Sequence, residues 1–312
     1  MEQWIMMLQD ANTQWVLLGS LLLGAASGVL GSFALLRKQS LIGDAMAHAA
    51  LPGVCLAFLI TGEKSLPWLL LGATMTGLLA TYCIQAITKH SRVKMDTAIG
   101  LVLSVFFGFG IVLLTKAAQT TSGNKSGLDD FIFGQAASMV GADVKIIAGV
   151  SAVLLLLIFL FFKEFKVLTF DPDFAQGIGF PSKTLNLLLM TLITGAVVIG
   201  IQAVGVVLMA AMLITPAISA RYWTEDLGRM VIIAGVIGAF SGVSGTLMST
   251  VAEGLPTGPL IVLAATFIFV ISLLFSPKRG LLMKLFKLYR LRKSVAREQR
   301  LNPLVKPARE GD

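Results

Sequence analysis

Two side chains able to hold a cation, Asp44 and His48, stand four residues apart in LIGDAMAHAALPG (residues 41–53), inside an otherwise apolar run. Residues at i and i+4 share one face of a helix, so the carboxylate and the imidazole can converge on one object. A charged group at membrane depth costs about 2.5–3.5 kcal/mol on insertion scales and therefore faces a cavity or another polar group. Three uses fit the pair: a structural hydrogen bond, a proton relay, or two ligands for a metal in passage. Pro52 bears on the choice, because it lacks the N–H that would bond the His48 carbonyl and its ring crowds that carbonyl. With Gly43 and Gly53 flanking the segment, a broken helix is expected there, and transporters place such breaks at substrate sites. Imidazole serves zinc, iron and manganese, and a carboxylate suits the harder ions. One pair is not a complete metal site. Two copies of the chain facing each other across a twofold axis would bring four such ligands together, which predicts a homodimeric pore.

The elements that must carry these residues are membrane spans. Of 312 residues 56% are hydrophobic and 13% charged, with a mean hydropathy of +0.84. A soluble domain is nearer half apolar and a quarter charged. Nine apolar runs approach the ~20 residues that a helix needs to cross hydrocarbon: Trp15–Leu36, Gly43–Ile60, Pro67–Ile87, Thr97–Thr115, Ile146–Phe162, Thr184–Ala203, Val204–Ala220, Met230–Val251 and Gly258–Ser276. The expected fold is therefore an all-α polytopic membrane protein. The weakest boundary falls between Ala203 and Val204, where one long or re-entrant segment would lower the count to eight. Strictly alternating runs are few, which disfavours a β-barrel. The N-terminal residues lack Lys and Arg and do not read as a cleaved signal. Cys55 and Cys83 both lie in spans and read as small buried hydrophobes.

With the N-terminus outside, 21 of the 25 Lys and Arg fall on inner segments, which places the C-terminus in the cytoplasm. The net charge of +8 resides in the tail from Pro277 onward, with 11 basic and three acidic residues. Residues 1–276 form the transmembrane domain on this reading and 277–312 a basic cytoplasmic tail. That tail explains topology and contact with anionic lipid more cheaply than it explains nucleic-acid binding. The outer loop of residues 116–145 turns semi-apolar at Phe131–Val140, as a short helix at a pathway mouth or an interfacial loop.

The inner loop KEFKVLTFDPDFAQGIGFPSK (residues 163–183) is more specific. Asp171 is a good N-cap, Pro172 suits the first helical position, and Gly177 and Gly179 end the helix. The resulting two turns present Phe170, Phe174 and Ile178 as one apolar stripe. The stripe packs either on the protein's own inner surface or on a cytoplasmic partner.

Other polar residues carry less. Tyr82, Gln85, Gln202 and Thr215 fit helix–helix hydrogen bonds. Glu253, beside Pro256 at the outer end of a span, is a candidate entry ligand, and His90 lies among basic loop residues. No G-x-x-x-x-G-K-[ST] loop is present, so the chain does not bind ATP in that manner. Neither a nucleophile-and-base motif nor H-E-x-x-H occurs, so no catalytic residue is expected.

Four stretches together resemble the ABC-3 metal permeases, the membrane subunits of bacterial ABC importers for manganese, zinc or iron(II). They are LLRKQSLIGDAMAHAALPG (35–53), LTFDPDFAQGIGFP (168–181), VGVVLMAAMLITPAISAR (204–221) and LPTGPLIVL (255–263). The resemblance covers residues 15–276 and implies a fold similar to cobalamin and siderophore (type II) importer permeases. It also implies a homodimer with two cytoplasmic ATP-binding subunits and an external metal-binding protein, in a bacterial cell membrane. Residues 168–180 would be the coupling helix, with Phe170, Asp171, Pro172, Asp173, Phe174, Ile178 and Gly179 facing the ATPase. Asp44 and His48 would coordinate the ion in transit. No permanent cofactor is implied; the divalent metal is cargo, with manganese favoured. The competing expectation is a proton-coupled secondary transporter working through the same pair without an ATPase.

Overall fold

In a computed structural model, which describes residues 11–62, 65–120, 141–251, 255–277, 280–284 and 290, the chain is almost entirely helical. The long helices are α1 (Ala11–Leu36), α2 (Ile42–Thr61), α3 (Leu66–His90), α4 (Met95–Thr120) and α5 (Gly141–Leu160). Two short ones follow, α6 (Phe162–Phe170) and α7 (Pro172–Gly177), and then α8 (Ser182–Val204), α9 (Val206–Trp223), α10 (Leu227–Val251) and α11 (Thr257–Phe275). Among the described residues eight helices are long and apolar enough to cross a membrane: α1 to α5, α8, α10 and α11. The ninth expected span is α9, which has 18 residues. At 1.5 Å per residue it is about 27 Å long, just under the hydrocarbon thickness. The uncertain boundary at Ala203/Val204 is a sharp break at Gly205, whose φ of 91° and ψ of 161° lie where only glycine is at ease.

Helix α9 is the axis of the bundle. Among its described side chains only Trp223 is exposed, and it packs against α1, α2, α10 and α11. Helices α3, α4, α5 and α11 are peripheral and display large apolar side chains such as Met75, Val112, Phe159 and Phe267.

Within lipid, helices gain little from hydrophobicity and associate through close packing and hydrogen bonds. Here α1 and α10 meet backbone to backbone: a Cβ on Gly24 would lie 2.2 Å from the Gly238 carbonyl oxygen, and one on Gly28 2.2 Å from that of Ala234. Gly24 and Gly28 form a G-x-x-x-G pair that sequence reading passed over. Gly24→Leu is expected to cost more than about 3 kcal/mol, since both neighbouring groups are backbone and cannot swing aside. Loss of the monodisperse peak when the variant is extracted in detergent would show it; an unchanged peak and melting temperature would contradict it.

Hydrogen bonds tie the same layers. Thr246 donates to Ser20 across α10 and α1 at 2.9 Å, and Thr81 lies 3.4 Å from Thr194 across α3 and α8. Three of the four residues proposed for this role from sequence show less. Tyr82 is exposed, and Gln85 Nε2 and Gln202 Oε1 are buried without a hydrogen-bond partner among the described residues.

Candidate functional site

The turn that launches α2 is built by a Schellman ending of α1. Gln39 N–H donates to the Ala34 carbonyl at 2.9 Å and Lys38 N–H to that of Leu35 at 3.1 Å. Lys38 takes the left-handed position with φ 58°, the sole non-glycine to do so among the described residues. That conformation costs an L-residue about 1–2 kcal/mol. The Gln39 side chain is buried below the turn.

Asp44 falls in the first turn of α2. At 1.5 Å per residue it lies about 3 Å, and His48 about 9 Å, along a helix of roughly 30 Å. The pair therefore sits in the third of α2 nearest the basic turn. His48 Nε2 is 3.4 Å from Asp44 Oδ1, and the side chains are 18% and 38% exposed respectively. That separation exceeds the 2.7–2.9 Å of a strong charge-assisted bond. The imidazole rests edge-on against Phe107 of α4, with centroids 4.7 Å apart, and its Nδ1 is buried without a hydrogen-bond partner among the described residues. A histidine that holds a resident metal donates its second ring nitrogen to an orienting group. Here the ring is placed instead by Phe107 and by the Asp44 carboxylate 3.4 Å from Nε2. Among the described residues no three His, Cys, Asp or Glu side chains cluster as a metal site.

The break expected at Pro52 does not occur. Helix α2 runs unbroken from Ile42 to Thr61 with Pro52 inside it, and only the His48 carbonyl loses its backbone donor. The flanking glycines do not loosen the helix but let it approach neighbours. A Cβ on Gly53 would lie 2.1 Å from the Gly72 carbonyl oxygen of α3, and one on Gly43 2.8 Å from Leu213 Cδ2 of α9. Helix α4 braces the proline stretch, with Gly110 against Leu51 and Pro52. Cys55 is buried 3.9 Å from the Gly110 carbonyl, a core residue as read. His90 is exposed at the end of α3, its Nδ1 3.0 Å from the Ala86 carbonyl. Glu253 and the Phe131–Val140 segment lie outside the described residues.

At the end of the bundle that carries the basic turn, α6 anchors by burying Phe165 and Leu168. Phe33 of α1 meets Phe162 and Phe165 edge to face at 6.2 and 6.0 Å. Helix α7 then projects outward. The Asp171 carboxylate accepts from Phe174 N–H at 2.9 Å as the N-cap, Pro172 opens the helix, and Gly179 closes it with φ 90°. Asp173 is exposed, and of the six helical residues only Ala175 is buried. Phe170, Phe174 and Ile178 stand 58%, 56% and 51% exposed. Against the described residues the stripe is therefore only about half covered. Three large apolar groups thus stand exposed together on one short element.

Eight helices long and apolar enough to cross a membrane, set around the largely buried α9, make this a multi-pass membrane protein. Residues 9–276 match the ABC 3 transport family, and the chain belongs to that family. It is 65% identical over 292 residues to the manganese transport system membrane protein MntC of Bacillus subtilis, covering 94% of this chain and 67% of that protein. To the zinc transport system membrane protein TroC of Treponema pallidum it is 46% identical, covering 93% and 97%. The solved structure of PsaBC from Streptococcus pneumoniae in complex with Fab superposes with a TM-score of 0.79 at 36% identity, covering 92% of this chain and 99% of that one. An inward-facing structure of a putative metal-chelate type ABC transporter shares the fold, with a TM-score of 0.66 at 15% identity over 83% of this chain and 84% of that one.

Proposed function

We propose that the chain is the membrane subunit of an ATP-driven importer of divalent transition metal ions, with manganese as the main cargo. The observation that carries this reading is the Asp44/His48 pair, half open and with the imidazole unheld at Nδ1 among the described residues. A transit site must bind well enough to admit an ion and weakly enough to pass it on. Two such pairs from a homodimer would give two carboxylates and two imidazoles, a donor set that manganese, iron(II) and zinc all accept. The similarity to the Bacillus protein supports manganese, and that to the Treponema protein keeps zinc as the competitor.

The exposed stripe on α7 supports a cytoplasmic ATP-binding subunit that covers Phe170, Phe174 and Ile178, with Asp171, Pro172, Asp173 and Gly179 shaping the helix. This stripe would have no purpose in a proton-coupled carrier. An external metal-binding protein would deliver the ion at the opposite end, where Glu253 is the proposed entry ligand. The basic turn, α6, α7 and the tail would face the cytoplasm, with the N-terminus outside.

Uptake of radioactive manganese and zinc in cells lacking their own importers tests the reading. The chain is expressed with its ATP-binding subunit and binding protein. Manganese accumulation is expected to disappear when the ATPase is inactivated and to survive collapse of the proton gradient. The reverse pattern would establish the secondary carrier instead.

A further inference from the structure

We propose a second binding site, at the basic end of the bundle, for the phosphate headgroup of an anionic phospholipid, held by Lys38, Arg221 and Lys284. The three side chains line one cavity of about 900 Å3 and come from the α1–α2 turn, the last turn of α9 and the segment beyond α11. None of the described residues lining it is acidic. Arg221 donates one hydrogen bond, from Nη1 to the Glu225 backbone carbonyl at 3.2 Å, which leaves most of its guanidinium N–H groups for a ligand. Three cations around one space, with no acidic residue among its described lining, make a field that attracts an anion.

The surroundings hold the cations in place. Lys38 occupies a left-handed position that glycine or asparagine would take more easily. The indole N–H of Trp223 donates to Ser272 Oγ at 2.9 Å, and the Ser276 hydroxyl donates to the Tyr222 carbonyl, which joins the ends of α9 and α11. The chain then turns at Gly280, where a Cβ would lie 2.3 Å from the Ser276 carbonyl oxygen. Lys284 N–H donates to the Gly280 carbonyl at 3.0 Å, which sets Lys284 at the cavity.

The remaining walls choose the ligand. Leu36, Ile218 and Leu273 belong to the last two turns of long helices that end at this face. That is headgroup depth, with apolar surface running toward the acyl chains. A free phosphate would satisfy the cations and leave these walls bare, whereas a phospholipid uses both.

The test titrates the purified full-length protein in detergent with phosphatidylglycerol, phosphatidylcholine or inorganic phosphate and follows the midpoint of thermal unfolding. A saturable rise is expected with phosphatidylglycerol alone. Its apparent affinity should fall about fivefold for each cation neutralised and about a hundredfold in the K38Q/R221Q/K284Q protein. Equal stabilisation of wild type and triple variant, or an equal effect of inorganic phosphate, would overturn the proposal. If the triple variant does not fold in phosphatidylcholine, K284Q decides, since its exposed side chain lies outside the core. An unchanged affinity in K284Q would also overturn it.

Discussion

Manganese uptake through the Asp44→Ala/His48→Ala protein is expected to fall at least about tenfold at unchanged membrane level, the lower bound seen when even outer-shell partners of a metal are removed. The single variant Asp44→Asn separates the competing roles. Asparagine keeps the shape of aspartate and can still hydrogen-bond His48 across the 3.4 Å gap, but it carries no charge to offer a cation. If the pair were a structural hydrogen bond, the Asp44→Asn protein would transport normally. If the pair handles the ion, this variant should lose nearly as much uptake as the double variant. His48→Ala also empties space beside Phe107, so a melting temperature must accompany its uptake. Full uptake with asparagine at this position would return the pair to a structural role.

The second large effect is expected at Phe174. Its ring stands at the centre of the exposed stripe, between Phe170 and Ile178. Phe174→Glu places a carboxylate where an apolar contact is expected, and losses at such a centre reach about 2 kcal/mol or more, some thirtyfold in affinity. The ATP-binding subunit should no longer copurify and uptake should stop, while the permease itself melts as before because Phe174 packs on little of it. Asp171→Ala makes a graded control. It removes the N-cap bond to Phe174 N–H, worth about 1 kcal/mol, and should weaken assembly without abolishing it. Normal copurification of the Phe174→Glu protein would remove α7 as the docking element.

Much of this was legible in the sequence because lipid imposes simple rules. Span length, the boundary near Ala203 and the α7 stripe follow from hydrocarbon thickness, run length and helical spacing, each a property of a few neighbouring residues. Pro52 misled because its local effect is real but small against its surroundings. One lost backbone bond does not break a helix braced by Gly110 on one side and seated against Gly72 on another. The polar residues misled for the opposite reason. Gln85 and Gln202 have the longer reach, yet Thr81, Thr194 and Thr246 have the partners, and partners are a property of the assembled bundle. The G-x-x-x-G pair in α1 was readable as a packing face, but nothing local named α10 as its mate. Likewise the spacing of Asp44 and His48 was plain, whereas the unheld Nδ1 and the depth of the pair emerge only once α2 is placed.

The contact between α1 and α10 has a mechanical meaning. Two helices separated by side chains can slide, because the side chains change rotamer as the surfaces pass. At Gly24 and Gly238 carbonyl faces backbone with nothing between to yield, so translation along this seam would drive oxygen into peptide. Helices α1 and α10 are therefore expected to move as one body, as are α2 and α3 at Gly53 and Gly72. On the proposed function, opening and closing of an ion path would fall to seams that side chains still fill, such as the Phe107–His48 contact where α4 leans on α2.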